Sequence, residues 1–282
     1  MAEALGHSGY LLESRIETEL KRAGYNAASN SAYPDLETNK SREVDLIGIR
    51  FWKLEPASDR FDWLMTVLTI ECVNNPQPLA FITKQSESSL ADEEFPITGM
   101  PLMLHHESAY MHIVNLLGLR GFHHYYRGRI ATQYCSFHKK RSEREWMAHH
   151  ADDHHDIFNT LTKVLDFERS QEPGKFGVGI QLTFNYLVLV IQGDLVEVQA
   201  SGDDCAISDS DHIQYRRFSA SETEYRTYVI DVVTETFFPQ YLSQVDTELE
   251  QAKQSIMKYR TVLSEGVDEI LRMKKPIPKS GL

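Results

Sequence analysis

Two apolar runs with a single acid inside each constrain this chain more than any other feature: Val44-Asp45-Leu46-Ile47-Gly48-Ile49 and Val67-Leu68-Thr69-Ile70-Glu71-Cys72-Val73. Dense β-branched residues predict strands covered on both faces. The turn residues Pro56-Ala57-Ser58-Asp59 between the runs predict a hairpin that makes the two strands neighbours. A carboxylate in such a strand is costly to bury unless it is paired or binds a cation. Neighbouring strands would bring Asp45 and Glu71 together, where two acids can share one divalent ion.

Around this hairpin the pattern predicts an α/β protein. Leu12, Ile16, Leu20 and Ala23 stand at helical spacing and Gly24 marks a stop, so residues 9–24 form a first helix. Strands follow at 25–33, 43–52 and 61–73, and Asn74-Asn75-Pro76 breaks the last before a short apolar segment at 79–83. Residues 103–119 are a candidate helix and 121–134 a candidate strand pair. Residues 149–168 read as a second helix, stopped by Pro173-Gly174. The run at 186–191, then Gly193-Asp194 and 195–198, has the signals of a hairpin. Residues 202–211 are polar and acidic and read as a mobile loop, with strands at 213–218 and 225–234 beyond it. A helix over 239–273 carries Leu242, Val245, Leu249, Ala252, Ile256 and Leu263 on one face, which packs on the body or on a second copy of the chain. No Pro-, Gly- or Ser-rich linker divides the chain, so residues 1–282 read as a single elaborated domain.

Composition narrows the classes. The net charge of −12 works against a protein that wraps nucleic acid, although Arg120, Arg127 and Arg129, Lys139 to Arg144, and Arg216-Arg217 form short basic clusters. Cys72, Cys135 and Cys205 are too far apart for a disulfide framework or a cysteine-type zinc site. No apolar run has the ~18 residues of a membrane span, and the first residues lack a basic segment followed by an apolar one, so the expectation is a cytoplasmic protein without a membrane partner.

Glu13 and Glu17 share a face of the first helix, and one of them can reach the strand acids. The order Leu12-Glu13 on a helix ending at Gly24-Tyr25, then Arg42-Glu43-Val44-Asp45, then Ile70-Glu71-Cys72-Val73, resembles the PD-(D/E)XK superfamily, the restriction-endonuclease-like fold. The resemblance implies a mixed central sheet flanked by helices, here with extra strands and a long C-terminal helix. Residues 1–85 would form the first half of the core, 86–148 an insertion, 149–238 the second half and 239–273 the C-terminal helix.

Glu13, Asp45 and Glu71 would then be ligands of Mg²⁺ or Mn²⁺, and Asp45 and Glu71 would act in hydrolysing DNA phosphodiester bonds. The departure is at the Lys that closes the second motif, where this chain has Val73. Lys84 could supply that charge in the catalytic site, as could Lys40. A second reading is a catalytically impaired nuclease-fold module that binds nucleic acid or protein, with the C-terminal helix making the contacts and offering a homodimer interface.

Competing readings stand beside these. Asp45 could pair with Arg42 or Arg50, and Glu71 with a nearby Lys. Pro34-Asp35 spells the superfamily's literal motif, yet Pro-Asp is common in turns for backbone reasons. His150 and His154, with Asp153, have the one-turn spacing of a metal pair, but His and Asp also suit the solvated start of a helix. His123-His124 beside Tyr125, Tyr126 and Arg127 could touch nucleic acid. Gly174, Gly177 and Gly179 lack the Lys-Ser or Lys-Thr of a phosphate loop and read as an ordinary loop.

Overall fold

The computed structural model describes residues 9–55, 62–74, 77–85, 96–101, 113–139, 146–149, 155–170, 179–201, 204–220 and 225–274. Helix α1 (Gly9–Arg22) leads into a meander of β1 (Asn26–Pro34), β2 (Ser41–Lys53) and β3 (Trp63–Asn74). Then come β4 (Leu79–Gln85), β5 (Ile97–Met100), β6 (Arg129–Lys139), β7 (Trp146–His149) and helix α2 (His155–Ser170). The chain ends with β8 (Gln181–Gln192), β9 (Leu195–Ser201), β10 (Asp204–Asp209), β11 (His212–Ala220), β12 (Tyr225–Thr234) and helices α3 (Phe238–Lys258) and α4 (Arg260–Lys274).

All the strands join one mixed sheet in the order β1-β2-β3-β8-β12-β11-β6-β4-β9-β10, with β5 added to β8 and β7 to β6. The β1-β2-β3 meander is antiparallel, whereas β3, β8 and β12 run parallel to one another. Central β8 is buried along all but its last residue, as a strand covered on both faces must be. Leu46, Leu68, Ile70, Tyr186, Val188, Val229 and Val233 face α1, α3 and α4 on one side. Leu187, Leu189, Ile191, Ile230 and Val232 face Phe158, Leu161 and Leu165 of α2 on the other. The molecule is therefore a mixed α/β protein with a large sheet flanked by helices.

Helix α1 ends where the sequence stops it. Gly24 takes φ 83°, its N–H bonds the carbonyl of Lys21, and the Tyr25 N–H reaches back to Leu20 at 2.9 Å. This is a Schellman closure, and the left-handed residue suits a glycine. The helix then lies close on β2: a Cβ at Gly48 would come 3.0 Å from Leu20 and 3.6 Å from Tyr25.

Several expectations change. Gly193-Asp194 is a corner rather than a hairpin, because β8 pairs with β3, β12 and β5 while β9 pairs with β4 and β10. The sheet curls, so strands two residues apart in the chain lie five places apart in the strand order. The acidic stretch read as a loop contains β10, exposed along its whole length as an edge strand. Residues 121–134 are not a strand pair: short 3₁₀ turns at Leu119–Gly121 and His124–Tyr126 precede β6.

The C-terminal helix is interrupted at Tyr259 (φ −104°, ψ 19°). Leu242, Val245, Leu249, Ala252, Ile256 and Leu263 are all buried in this chain's own core. Each of the Leu, Val and Ile burials contributes about 1.5–3 kcal/mol, so the apolar face that suggested a homodimer already has its cover. Arg216 and Arg217 are also buried, and Arg217 donates to Asn159, so this pair is no solvated basic patch. The described parts of segment 86–148 contribute to the body: β5 and β6 join the sheet, and Ile113, Val114 and Leu117 enter the core. Among the described residues no helix is long and apolar enough to cross a membrane.

Candidate functional site

The β2–β3 ladder runs from Lys53 opposite Trp63 to Leu46 opposite Ile70 and stops there. Beyond it the Cys72 N–H donates to Asp45 Oδ2 at 2.8 Å. A side chain has replaced the next ladder partner, and the two strands part at the acids. Glu71 lies between Ile70 and Cys72, both in the core on the α1/α3 side, so by strand alternation it points toward the opposite face. The site lies at the carboxyl end of β3, where the parallel strands β8 and β12 also finish, the end at which open α/β sheets present their crevices.

Glu71 has its carboxyl pushed up to about 9, first by burial and then by the charges of Asp45 and Glu13. Asp45 is raised by burial, opposed by the Cys72 N–H and by a hydrogen bond with Glu71. Glu13 is raised by partial burial and by Asp45. Two coupled carboxyls this close hold a proton between them near neutral pH, and that proton belongs to the pair. Glu71 Oε1 is buried and has no hydrogen-bond partner. The Cys72 thiol is pushed up by burial and by the same acids, which leaves it neutral.

The ordinary explanations for these acids do not hold. Arg42 Nε donates to Asp35 at 2.8 Å, and Arg50 Nη1 donates to Asp246 at 2.6 Å while its guanidinium lies 4.3 Å from the Trp52 ring centre. Among the described residues no cation pairs with Asp45 or Glu71. Asp35 of the literal Pro-Asp pair is fully buried, accepts from Arg42, Lys163 and the Glu37 N–H, and is held below the usual carboxylate range despite its burial. It pins the loop before β2 to α2.

Among the described residues no lysine is brought to the acids. Lys84 is exposed on β4, which β8, β12, β11 and β6 separate from β3 in the sheet, and Lys40 is exposed ahead of β2. Val73, at the motif's lysine position, packs against the apolar cluster under α2. Glu13 is near enough for its charge to be felt, but it is not part of a tight ligand trio with the two strand acids. Among the described residues, the trios with ligand atoms all within 4.8 Å are His123–His124–Glu248 and His124–His212–Asp231. The donors that fit a hard divalent cation directly are therefore Asp45 and Glu71, and the orphaned Glu71 oxygen is the atom such a cation would satisfy.

A second polar cluster lies on the other face of the sheet. The 3₁₀ turn at His124–Tyr126 turns His124 inward between β12 and α3, where Nδ1 lies 2.7 Å from Glu248 Oε2 and Nε2 lies 3.2 Å from both oxygens of Asp231. His212 Nε2 lies 2.8 Å from Asp231 Oδ1, and the hydroxyls of Tyr125 and Tyr241 donate to Oδ2 at 2.9 and 2.8 Å. Burial would lower His124, but Asp231 and Glu248 outweigh it and hold the imidazole at about 10. Asp231 is driven well below the carboxylate range by His124 and His212 against its own burial.

Sequence reasoning passed over Asp231, Glu248 and His212. A signal was present for the first: Val229-Ile230-Asp231-Val232-Val233 is another lone acid in a β-branched run. Glu248 sits on the apolar face of α3 beside Val245 and Leu249, while His212 carried no mark. His150, Asp153 and His154, and Gly174 and Gly177, lie outside the described residues. No family model, curated protein or solved structure matches this chain.

Proposed function

We propose that this protein is a restriction-endonuclease-like hydrolase that cleaves DNA phosphodiester bonds with Mg²⁺ or Mn²⁺ held by Asp45 and Glu71, Glu13 acting through a bound water. The observation that carries the reading is the half-buried Asp45–Glu71 pair with the buried Glu71 Oε1 unsatisfied and, among the described residues, no cation beside it. Such a pair is costly as a purely structural device, because burial opposes ionisation and no cation among the described residues offsets it. A divalent ion bound there supplies Lewis acidity toward a phosphoryl oxygen and makes its bound water more acidic. The chain's own part is to hold the donors. The Cys72 N–H fixes Asp45, the parting of β2 and β3 leaves the acids half-buried at the end of the sheet, and the pair gives up its shared proton on taking the ion.

A second reading, a metal-binding module impaired in cleavage, is favoured by one specific observation: Val73 is packed into the α2 cluster, and neither Lys84 nor Lys40 replaces it. Incubation of the full chain with plasmid and linear DNA in Mg²⁺ or Mn²⁺, beside Asp45→Ala and Glu71→Ala, separates the two. Hydrolysis is expected in the parent and lost in both variants. Hydrolysis that persists in both ends the first reading, and calorimetric Mn²⁺ binding without hydrolysis establishes the second.

A further inference from the structure

We infer that His124, His212 and Asp231 form a separate binding site for a borderline divalent transition ion of the zinc class, opening on the cleft between the 121–128 segment and α3. Three donors from three elements converge: His124 from the 3₁₀ turn, His212 from the start of β11 and Asp231 from β12. Two imidazole Nε2 atoms face one carboxylate oxygen, Asp231 Oδ1, at 3.2 and 2.8 Å. Ligand atoms around tetrahedral zinc at bonds of ~2.0–2.1 Å stand about 3.3 Å apart, so small outward shifts make room for the ion.

The hydrogen bonds show which atoms are committed elsewhere. A charge-assisted N–H···O bond is expected at ~2.7–2.9 Å. His124 Nδ1 meets that value against Glu248, whereas its Nε2 is split between two oxygens at 3.2 Å. Nδ1 therefore donates to Glu248, which also accepts the His124 N–H at 3.0 Å, and Nε2, whose proton an incoming ion displaces, is directed at the convergence point. A carboxylate behind the remote imidazole nitrogen is the usual support of a metal-ligating histidine. Asp231 is braced in the same way: Tyr125 and Tyr241 occupy Oδ2 and leave Oδ1 for the ion.

The surroundings leave access from one side. A cleft of about 710 Å³ is lined by His124, His212, Gln214, Gln244, Thr247 and Gln251, among others. Gln214 is 7% exposed and donates through Nε2 to the His124 carbonyl at 2.7 Å, yet its buried Oε1 has no hydrogen-bond partner. That oxygen is an acceptor for a water completing the ion's coordination. Nitrogen donors mixed with one carboxylate select Zn²⁺, Co²⁺ or Fe²⁺ over Mg²⁺, which sets this site apart from the oxygen-only pair at Asp45 and Glu71.

The test titrates Co²⁺, then Zn²⁺, into the metal-stripped full chain with excess Mg²⁺ present to occupy the carboxylate pair. The expected result is one Co²⁺ per chain with the visible absorption of a four- or five-coordinate centre, displaced by one equivalent of Zn²⁺. His212→Ala, at the cleft wall, should weaken binding at least a hundredfold, and Glu248→Gln roughly ten- to a hundredfold. Asp45→Ala should leave it unchanged. No saturable binding, or binding that His212→Ala does not alter, overturns the inference. Should His212→Ala fail to fold by near-ultraviolet circular dichroism, anomalous scattering from a Zn²⁺-soaked crystal of the parent decides: a peak between the three side chains upholds the site, and its absence there overturns it.

Discussion

Glu71 and Asp231 begin from the same local sequence, a lone acid in a run of β-branched residues on a central strand, and end in opposite states. Around Glu71 the charges that act on it are those of two more acids, Asp45 and Glu13, so burial and repulsion act together and the carboxyl holds a proton to about 9. Around Asp231 stand two imidazoles and two tyrosine hydroxyls, which overcome a more complete burial and keep the carboxylate ionised. Cost of burial is thus common to both; what differs is the supply of donors. The poorly supplied acid offers oxygen to a hard cation, and the richly supplied one offers a prearranged mixed set.

The largest expected effect comes from emptying the rich cluster. Asp231→Ala leaves His124, His212, Tyr125 and Tyr241 without their shared acceptor, and removing one partner of a buried charge pair costs about 3–5 kcal/mol. Urea denaturation of the metal-free chain measures it. A loss under about 1 kcal/mol would show that the cluster is not held together by this carboxylate. The same change leaves the proposed Mg²⁺ site intact, so binding of Mn²⁺ by the surviving folded fraction should not move.

A smaller effect tests the poor cluster through pH. Glu71 has a folded-state pKa near 9 against 4.5 for the free side chain, so the folded state holds more protons between these values and stability falls as pH rises. The slope for one proton is at most about 1.4 kcal/mol per pH unit. His124 is raised from 6.5 to about 10; its contribution is fully present below 6.5 and is lost only as pH rises toward 10. Asp231, being lowered, loses its contribution only as pH falls below the ordinary value of 3.8. Between pH 5 and 6.5 buried His123, held well below its ordinary 6.5, adds a slope of opposite sign, and Glu168, raised by burial, adds one of the same sign, so the Asp45–Glu71 pair is read as a difference between chains. In EDTA the parent should lose stability across this window relative to Glu71→Gln. Equal slopes would mean that the acids do not share a proton.

What the sequence disclosed followed from how locally each signal is carried. Leu12, Ile16 and Leu20 fix a helix face, Gly24 fixes its stop, and the Asp45 and Glu71 runs fix two adjacent strands, because periodicity and turn chemistry act within a few residues. The corner at Gly193-Asp194 was illegible for the opposite reason. A two-residue turn and a two-residue corner look alike until distant β4 and β3 choose the partners of β9 and β8. Edge strand β10 was hidden by its polarity, since full exposure removes the alternation that marks a strand. Asp45 and Glu71 could be paired because a hairpin joins them. His124, Asp231 and Glu248 could not, being brought together only by packing across more than a hundred residues.

The smallest expected effect concerns the missing lysine. Lys84→Ala removes an exposed side chain on β4 with β6, β11, β12 and β8 between it and β3, and exposed substitutions away from special features are close to neutral. DNA hydrolysis and Mn²⁺ affinity should both match the parent, and so should the denaturation midpoint. Loss of hydrolysis with unchanged stability would mean that β4 reaches the acids during turnover, and the proposed site would then regain its cation from across the sheet. Val73→Lys is the complementary change. It places the charge at the position adjoining the acids, but against the apolar α2 cluster, so it should lower stability while strengthening the ionised form of Glu71. A fall in the Glu71 pKa without added hydrolysis would show that a lysine's charge alone does not make this end of the sheet catalytic.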